Sequence, residues 1–170
     1  MEVYDAAKTI LAVRDYVDQP LADEVVHKIL DAGRLSASRK NRQPWHFVVV
    51  RGRERLAQLG DLAPTGDYIR EAAMAVAVFL ESDDQVMVID GTRAIQSMML
   101  VAWGEGVGSN WVGRLERNAI KRLLDVPDDF YLLTVVPFGY PARKIGLGKK
   151  NRKPLLEVAH AERYGQPIEN

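Results

Sequence analysis

The stretch from Leu35 to Val50, L-S-A-S-R-K-N-R-Q-P-W-H-F-V-V-V, constrains the fold more than any other part of the chain. Its first half is polar and its last half apolar. Pro44 pushes Gln43 out of the helical region, so a helix arriving from the amino-terminal side has to stop before it. Val48, Val49 and Val50 are β-branched and suit a buried strand. The segment therefore predicts a helix, a loop rich in hydrogen-bonding groups, and a strand of a rigid sheet. Loops in that position commonly carry binding sites. An ordinary helix-to-strand connection is the plainer reading of the same residues.

The pattern on either side extends this order. Glu2 to Ala12 has helical spacing, with Val3, Ala6, Ala7, Ile10 and Leu11 on or near one stripe. Pro20 opens a second helix whose apolar face is Leu21, Val25, Val26, Ile29 and Leu30, with Gly33 near its end. A strand is expected over His46 to Arg51 and a short helix over Arg53 to Leu59, ending at Gly60. The near-continuous apolar run Ala73 to Leu80 reads as a central strand. Asp90 is placed to cap a long helix reaching about Trp103. Val107 to Val112 reads as a short strand, Glu116 to Leu124 as a helix and Tyr131 to Phe138 as a strand. Helices interspersed with strands predict a single domain, an α+β or mixed α/β sandwich with a small mixed sheet flanked by helices. Gly139 to Asn170 is different: glycines, prolines and charges dominate until the weak Leu155-Leu156-Val158-Ala159 cluster. Such a tail is either disordered or packed on something.

Composition removes several function classes. Lys plus Arg equals Asp plus Glu, 23 each, so no global basic field for nucleic acid exists. No cysteine is present, which excludes disulfides, thiolate nucleophiles and thiolate metal sites, and fits a reducing cytoplasm. His27, His46 and His160 lack ligand spacing, so no metal is expected. No apolar run reaches the length of a membrane span, and Met1 to Asp5 lacks the basic-then-apolar order of a signal peptide. No G-x-S-x-G elbow supports Ser-His-Asp catalysis. Gly104, Gly106, Gly108 and Gly113 are spaced too irregularly for a dinucleotide fingerprint.

The charge is unevenly spread. Between Asp129 and Glu157 there is no acidic residue, while Arg143, Lys144, Lys149, Lys150, Arg152 and Lys153 are interleaved with Gly146 and Gly148. Cations and glycines in this mixture can fold around a phosphate with side-chain charges and backbone N–H groups. A solvated basic loop is the plain alternative. Nucleic-acid binding is a weaker third, because no aromatic residues alternate with the charges to stack bases.

Ala37-Ser38-Arg39-Lys40-Asn41-Arg42-Gln43-Pro44-Trp45 resembles the P-S-S-x-N-x-Q-P-W signature of the FMN-dependent nitroreductases: the first proline is missing, and Ser38, Asn41, Gln43, Pro44 and Trp45 match. Val13-Arg14-Asp15-Tyr16 with Gln19-Pro20 resembles that family's amino-terminal segment. Ala94 to Leu100 resembles its central helix, and Gly106 to Gly113 its glycine-rich strand. The resemblance runs along nearly the whole chain, in order. It implies a nitroreductase-like fold and an intertwined homodimer whose carboxy-terminal arm, 139–170, wraps the partner subunit. It implies FMN as cofactor, NAD(P)H as reductant and a nitroaromatic or quinone as acceptor, in a ping-pong cycle. The flavin would carry the chemistry, so no catalytic side chain is expected. By the same resemblance, Arg14 lies at the pyrimidine edge of the ring, Ser38 and Asn41 hydrogen-bond the ring, Gly113 lies near N5, and Lys150 and Arg152 hold the phosphate.

One departure stands out. The family's Arg-Arg-Ser-Val-Arg-like run is here Ile10-Leu11-Ala12-Val13-Arg14, and Ile10 and Ala12 cannot contact a phosphate. Three consecutive apolar residues predict a segment repacked into the protein. The departure leaves open a reductase using a deazaflavin, beside a non-catalytic flavin-binding dimer.

Overall fold

The computed structural model describes residues 1–143 and 150–168. Its centre is β2, Met74–Leu80, in which every residue is buried. A strand buried on both faces needs apolar side chains in both directions, and this one supplies them. Met74, Val76, Val78 and Leu80 enter one core, while Ala75, Ala77 and Phe79 enter a second. β2 lies between β1, Trp45–Val50, and β4, Tyr131–Gly139, with β3, Gly108–Ser109, beyond β4. All three strand pairs are antiparallel. Among the described residues, the parallel component of the mixed sheet expected from the sequence is confined to a single bridge between Ala12 and Ser109.

Helices cover both faces. α2, Asp23–Arg34, and α4, Gln85–Gly104, pack over the first core. α3, Arg53–Asp61, and α5, Arg117–Leu123, cover the second. α4 can lie close to the sheet because position 91 is glycine. A Cβ there would meet Leu80 at 2.8 Å and Leu133 at 2.9 Å. Each core fills one inter-layer space, as the layered architecture requires.

Several boundaries move for physical reasons. The first helix, α1, is Val3–Thr9 and stops before Ile10. The following residues are taken by sheet-like pairing instead: Val13 N–H donates to Ser109 O at 3.0 Å and Val17 N–H to Tyr140 O at 2.9 Å. α2 begins at Asp23, two residues after the buried Leu21, so Pro20 precedes the helix without opening it. The cap of α4 is Asp84, whose carboxylate accepts from Val86 N–H at 2.9 Å; Asp90 sits inside the helix. The expected Val107–Val112 strand shrinks to two paired residues.

The described part of the tail is open. Tyr140 to Ala142 still pair with Asp15 to Val17. α6, Leu155–Val158, is one short turn, and Leu155, Leu156, Val158 and Tyr164 are all exposed.

Candidate functional site

The Ser38–Gln43 loop is held by its own polar groups. Ser38 Oγ accepts from Gln43 N–H at 2.9 Å, Gln43 Nε2 donates to Asn41 O at 3.2 Å, and Asn41 N–H donates to Ser38 O at 3.0 Å. Ser38 therefore uses one acceptor on the turn and keeps its hydroxyl hydrogen as a donor. The exposed Asn41 amide has no partner among the described residues. Lys40, Asn41 and Gln43 all have left-handed φ, 53°, 56° and 51°. Non-glycine residues rarely adopt that region, and clusters of them favour ligand sites. The loop is also tied from outside, since Arg39 N–H donates to Asp90 Oδ2 at 2.9 Å.

The second group surrounds Arg14. Val13 is buried against Tyr16 and Trp103, and Tyr16 OH donates to Val13 O at 2.7 Å. Burial, reinforced by Tyr68, pushes the Tyr16 hydroxyl far above its ordinary value, so it stays a neutral donor. This short closed turn presents Arg14 outward. Its sequence neighbours do not neutralise it: Asp15 faces Arg143 at 3.5 Å and Asp18 pairs with Arg53. Among the described residues Arg14 has no ion pair. Ile10 and Leu11 are half-buried but belong to none of the three core clusters, and Ala12 is exposed. The apolar run is thus accommodated by backbone pairing and not, as the sequence suggested, by packing into the core.

Lys150 reaches this second group. Its Nζ donates to Ala7 O at 2.7 Å, on the last turn of α1. Loss of water around Lys150, and then the nearby Arg152, hold its ammonium below the usual lysine value. Arg152 donates to Asn151 O at 2.9 Å and stays exposed. Lys144, Gly146, Gly148 and Lys149, also counted in the basic tract, lie outside the described residues.

Gly113 follows Val112, which is fixed by Val112 N–H to Val135 O at 3.3 Å and Thr134 Oγ1 to Val112 O at 2.8 Å. Nothing lies within 4 Å of where a Gly113 Cβ would be. Its N–H has no acceptor among the described residues. The residue before it is tied to β4, and Gly113 itself is exposed and open to a close approach.

Apart from Gly113, the candidate residues fall into two groups within one chain. The Ser38–Gln43 loop is anchored at Asp90, in the second turn of α4. The Arg14–Lys150 group lies beside Trp103, whose Nε1 donates to Thr9 Oγ1 at 2.9 Å near the other end of α4. Thirteen helical residues separate Asp90 from Trp103, about 20 Å along the axis. Two features escaped the sequence. Asp90 reads as a helix cap but is a buried carboxylate between Ile89 and Gly91. Ser109 Oγ is buried with no partner among the described residues. Among the described residues, no three His, Cys, Asp or Glu side chains converge to hold a metal, and no helix is long and apolar enough to cross a membrane.

The family model described as the Nitroreductase family matches residues 11–79 and 63–140. The chain belongs to the nitroreductase family. The matched residues take in Arg14, Ser38, Asn41 and Gly113 and end before Lys150 and Arg152. A Methanothermobacter thermautotrophicus protein named as an NADH dehydrogenase/NAD(P)H nitroreductase is 35% identical over 156 residues, covering 86% of this chain and 81% of that one. The FMN reductase [NAD(P)H] of Bacillus subtilis is 24% identical over 177 residues, covering 90% of this chain and 70% of its own length. Among solved structures, the Vibrio harveyi NADPH:FMN oxidoreductase complexed with NAD+ has a TM-score of 0.86 at 21% identity, covering 98% of this chain and 79% of that one. The helix-flanked antiparallel sheet is therefore the nitroreductase fold.

Proposed function

We propose that this nitroreductase-family chain is an oxidoreductase that binds FMN and passes a hydride from NAD(P)H to a small acceptor such as a nitroaromatic or quinone. The observation that carries this reading is the donor set. Arg14 and Arg152 are exposed cations, Lys150 docks on the last turn of α1, the helix that leads into the Arg14 segment, and Gly113 offers an open N–H. These fit an anionic phosphate and the electron-rich edge of a flavin. When bound, the flavin supplies the hydride chemistry itself. The protein's part is to hold and orient: Lys150 and Arg152 at the phosphate, Arg14 at the pyrimidine edge, where a cation favours the reduced ring. Ser38 and Asn41 supply a hydroxyl and an amide to the ring. Gly113 keeps side chains away from the reacting face. Reductant and acceptor would share one open pocket in turn, giving ping-pong kinetics.

The working unit in this reading is a homodimer. Two groups about 20 Å apart along α4 cannot act on one ring from within a single chain. A second copy that brings its Ser38–Gln43 loop to this copy's Arg14–Lys150 group completes the site. The exposed Leu155, Leu156 and Val158 give the tail an apolar face for that copy. The same reading puts the reaction in the cytoplasm, where a nicotinamide reductant is available.

The test is the visible spectrum of the purified protein, with mass analysis of what it releases. FMN that bleaches with NADH or NADPH and recolours with a quinone supports the proposal. A released deazaflavin, or a flavin that no nicotinamide reduces, replaces it with one of the two alternatives above.

A further inference from the structure

Asp90 sits where a carboxylate is costly. It is 3% exposed, in the second turn of α4, a helix that otherwise turns apolar residues to the sheet. Burying a charge requires compensation. Arg93, one turn on, provides part of it at 3.8 Å, too long for a close pair and half-exposed. The closer partner comes from a different element: Arg39 N–H, at 2.9 Å. A charged acceptor on a backbone N–H makes a short, strong hydrogen bond. The seat is built into the packing, because Gly91 lets α4 approach Leu80 and Leu133 closely and so brings Asp90 in beneath the loop.

The loop needs such a hold. Lys40, Asn41 and Gln43 are in left-handed conformations, each costly for a residue with a side chain. The internal bonds of Ser38, Asn41 and Gln43 shape the loop but do not attach it to the protein. Asp90 ties it to α4, immediately before the three left-handed residues begin.

We propose that Asp90 is a positioning residue that fixes the Ser38–Gln43 loop in its ligand-binding shape. This rests on the reading above, in which Ser38 and Asn41 face the flavin ring. Asp90 touches no ligand; it acts through Arg39 N–H. The acceptor oxygen is what matters, and the charge strengthens it.

The experiment uses the full chain and follows amide hydrogen exchange in the 37–44 peptide, together with retention of FMN on dilution. Asp90→Ala is expected to speed exchange there by about ten- to a hundredfold, the loss of one charge-assisted hydrogen bond, and to speed FMN release. Asp90→Asn keeps an oxygen acceptor and is expected to restore most of both. Arg39→Pro deletes the donor from the other side. Ser38 has an extended ψ of 158°, which a following proline accepts, and proline suits the first position of a helical turn. Adding Asp90→Ala to Arg39→Pro is expected to change the exchange of Gln43 no further. Unchanged exchange in Asp90→Ala, or full additivity of the two substitutions, overturns the anchor. With a wild type that carries FMN, a loosened loop that retains it as before overturns its place in the ligand site; a wild type without FMN overturns the reading above instead, and the exchange result alone then decides the anchor. Should Asp90→Ala fail to fold, the Asn and Pro variants still decide between these outcomes.

Discussion

Lys150 Nζ donates to the carbonyl oxygen of Ala7 at 2.7 Å, so a cation from the carboxy-terminal part of the chain caps the last turn of α1. A cation is favoured at a helix carboxyl end, where carbonyls lack partners. The same contact sets Lys150 within a turn of Ile10, where the family's phosphate-binding Arg and Ser are replaced.

If Lys150 and Arg152 hold a phosphate, Lys150→Ala and Arg152→Ala should each weaken FMN much more than riboflavin. The expected loss for FMN is about ten- to a hundredfold per charged hydrogen bond. Equal losses for the two ligands would assign the tail to folding. Titration adds a second check. Lys150 is held below its ordinary value, by loss of water first and Arg152 second. It is cationic below its folded-state pKa and loses that charge as the pH rises through it. The preference for FMN over riboflavin should therefore fade at a lower pH than an unperturbed lysine would give. In Lys150→Arg this fading should vanish, since arginine does not deprotonate in that range.

Two glycines separate structure from function. A Cβ on Gly108 would lie 2.6 Å from Val13 Cβ, and a β-branched side chain held in a pairing segment has little room to give. Gly108→Ala should cost about 1–3 kcal/mol of stability and shift Arg14 with Val13. Gly113→Ala meets nothing within 4 Å and should leave the melting temperature unchanged. If the ring lies over Gly113, the same substitution should slow reduction by NAD(P)H at an unaltered spectrum of bound FMN. Stopped-flow bleaching beside thermal melts of both variants checks the pair. A full-speed Gly113→Ala would remove Gly113 from the site.

The tail prediction concerns assembly. Leu155 is 66% and Val158 60% exposed in a single chain, and apolar side chains in such a cluster call for a covering surface. Removing the chain after Pro141 should lower the sedimenting mass from dimer toward monomer and release flavin. A shortened protein that stays dimeric and yellow would contradict the wrapping arm.

Much of this architecture was legible in sequence because local and tertiary preferences agree there. The apolar run at Met74–Leu80 had no other stable place than the middle of a sheet, and the Pro44 block fixed where the loop gives way to β1. Long-range pairing was not legible. α1 stops at Thr9 because Val13 finds Ser109, nearly a hundred residues away, and no periodicity in residues 2–12 reports that partner. Asp90 was misread for a related reason: an Asp beginning an apolar helix resembles a cap, and only the fold shows Asp84 capping and Arg39 N–H filling the Asp90 acceptor. The candidate residues could be named from the sequence, but the division of the loop residues and the Arg14–Lys150 residues into two distant groups could not, since chain order says nothing about which end of α4 each group occupies.

The replaced phosphate segment gives the last prediction. Restoring polarity with Ile10→Arg and Ala12→Ser together should tighten FMN. A guanidinium offers paired donors matched to phosphate oxygens, and Ser adds a short hydroxyl donor. The opposing effect is burial, since an unpaired Arg in a core would cost several kcal/mol. The structure weighs against that cost: Ile10 is half-buried outside all three core clusters, Ala12 is exposed, and neither pairing contact of this segment uses a side chain. The double variant should therefore melt near the wild type and bind FMN more tightly, with riboflavin little changed. The added cation also stands near Lys150, so part of the gain should be lost to repulsion in the apoprotein and recovered when phosphate is present. Inorganic phosphate should consequently raise the melting temperature of the variant more than that of the wild type. A collapsed melting temperature would return Ile10 to the core and send the phosphate elsewhere.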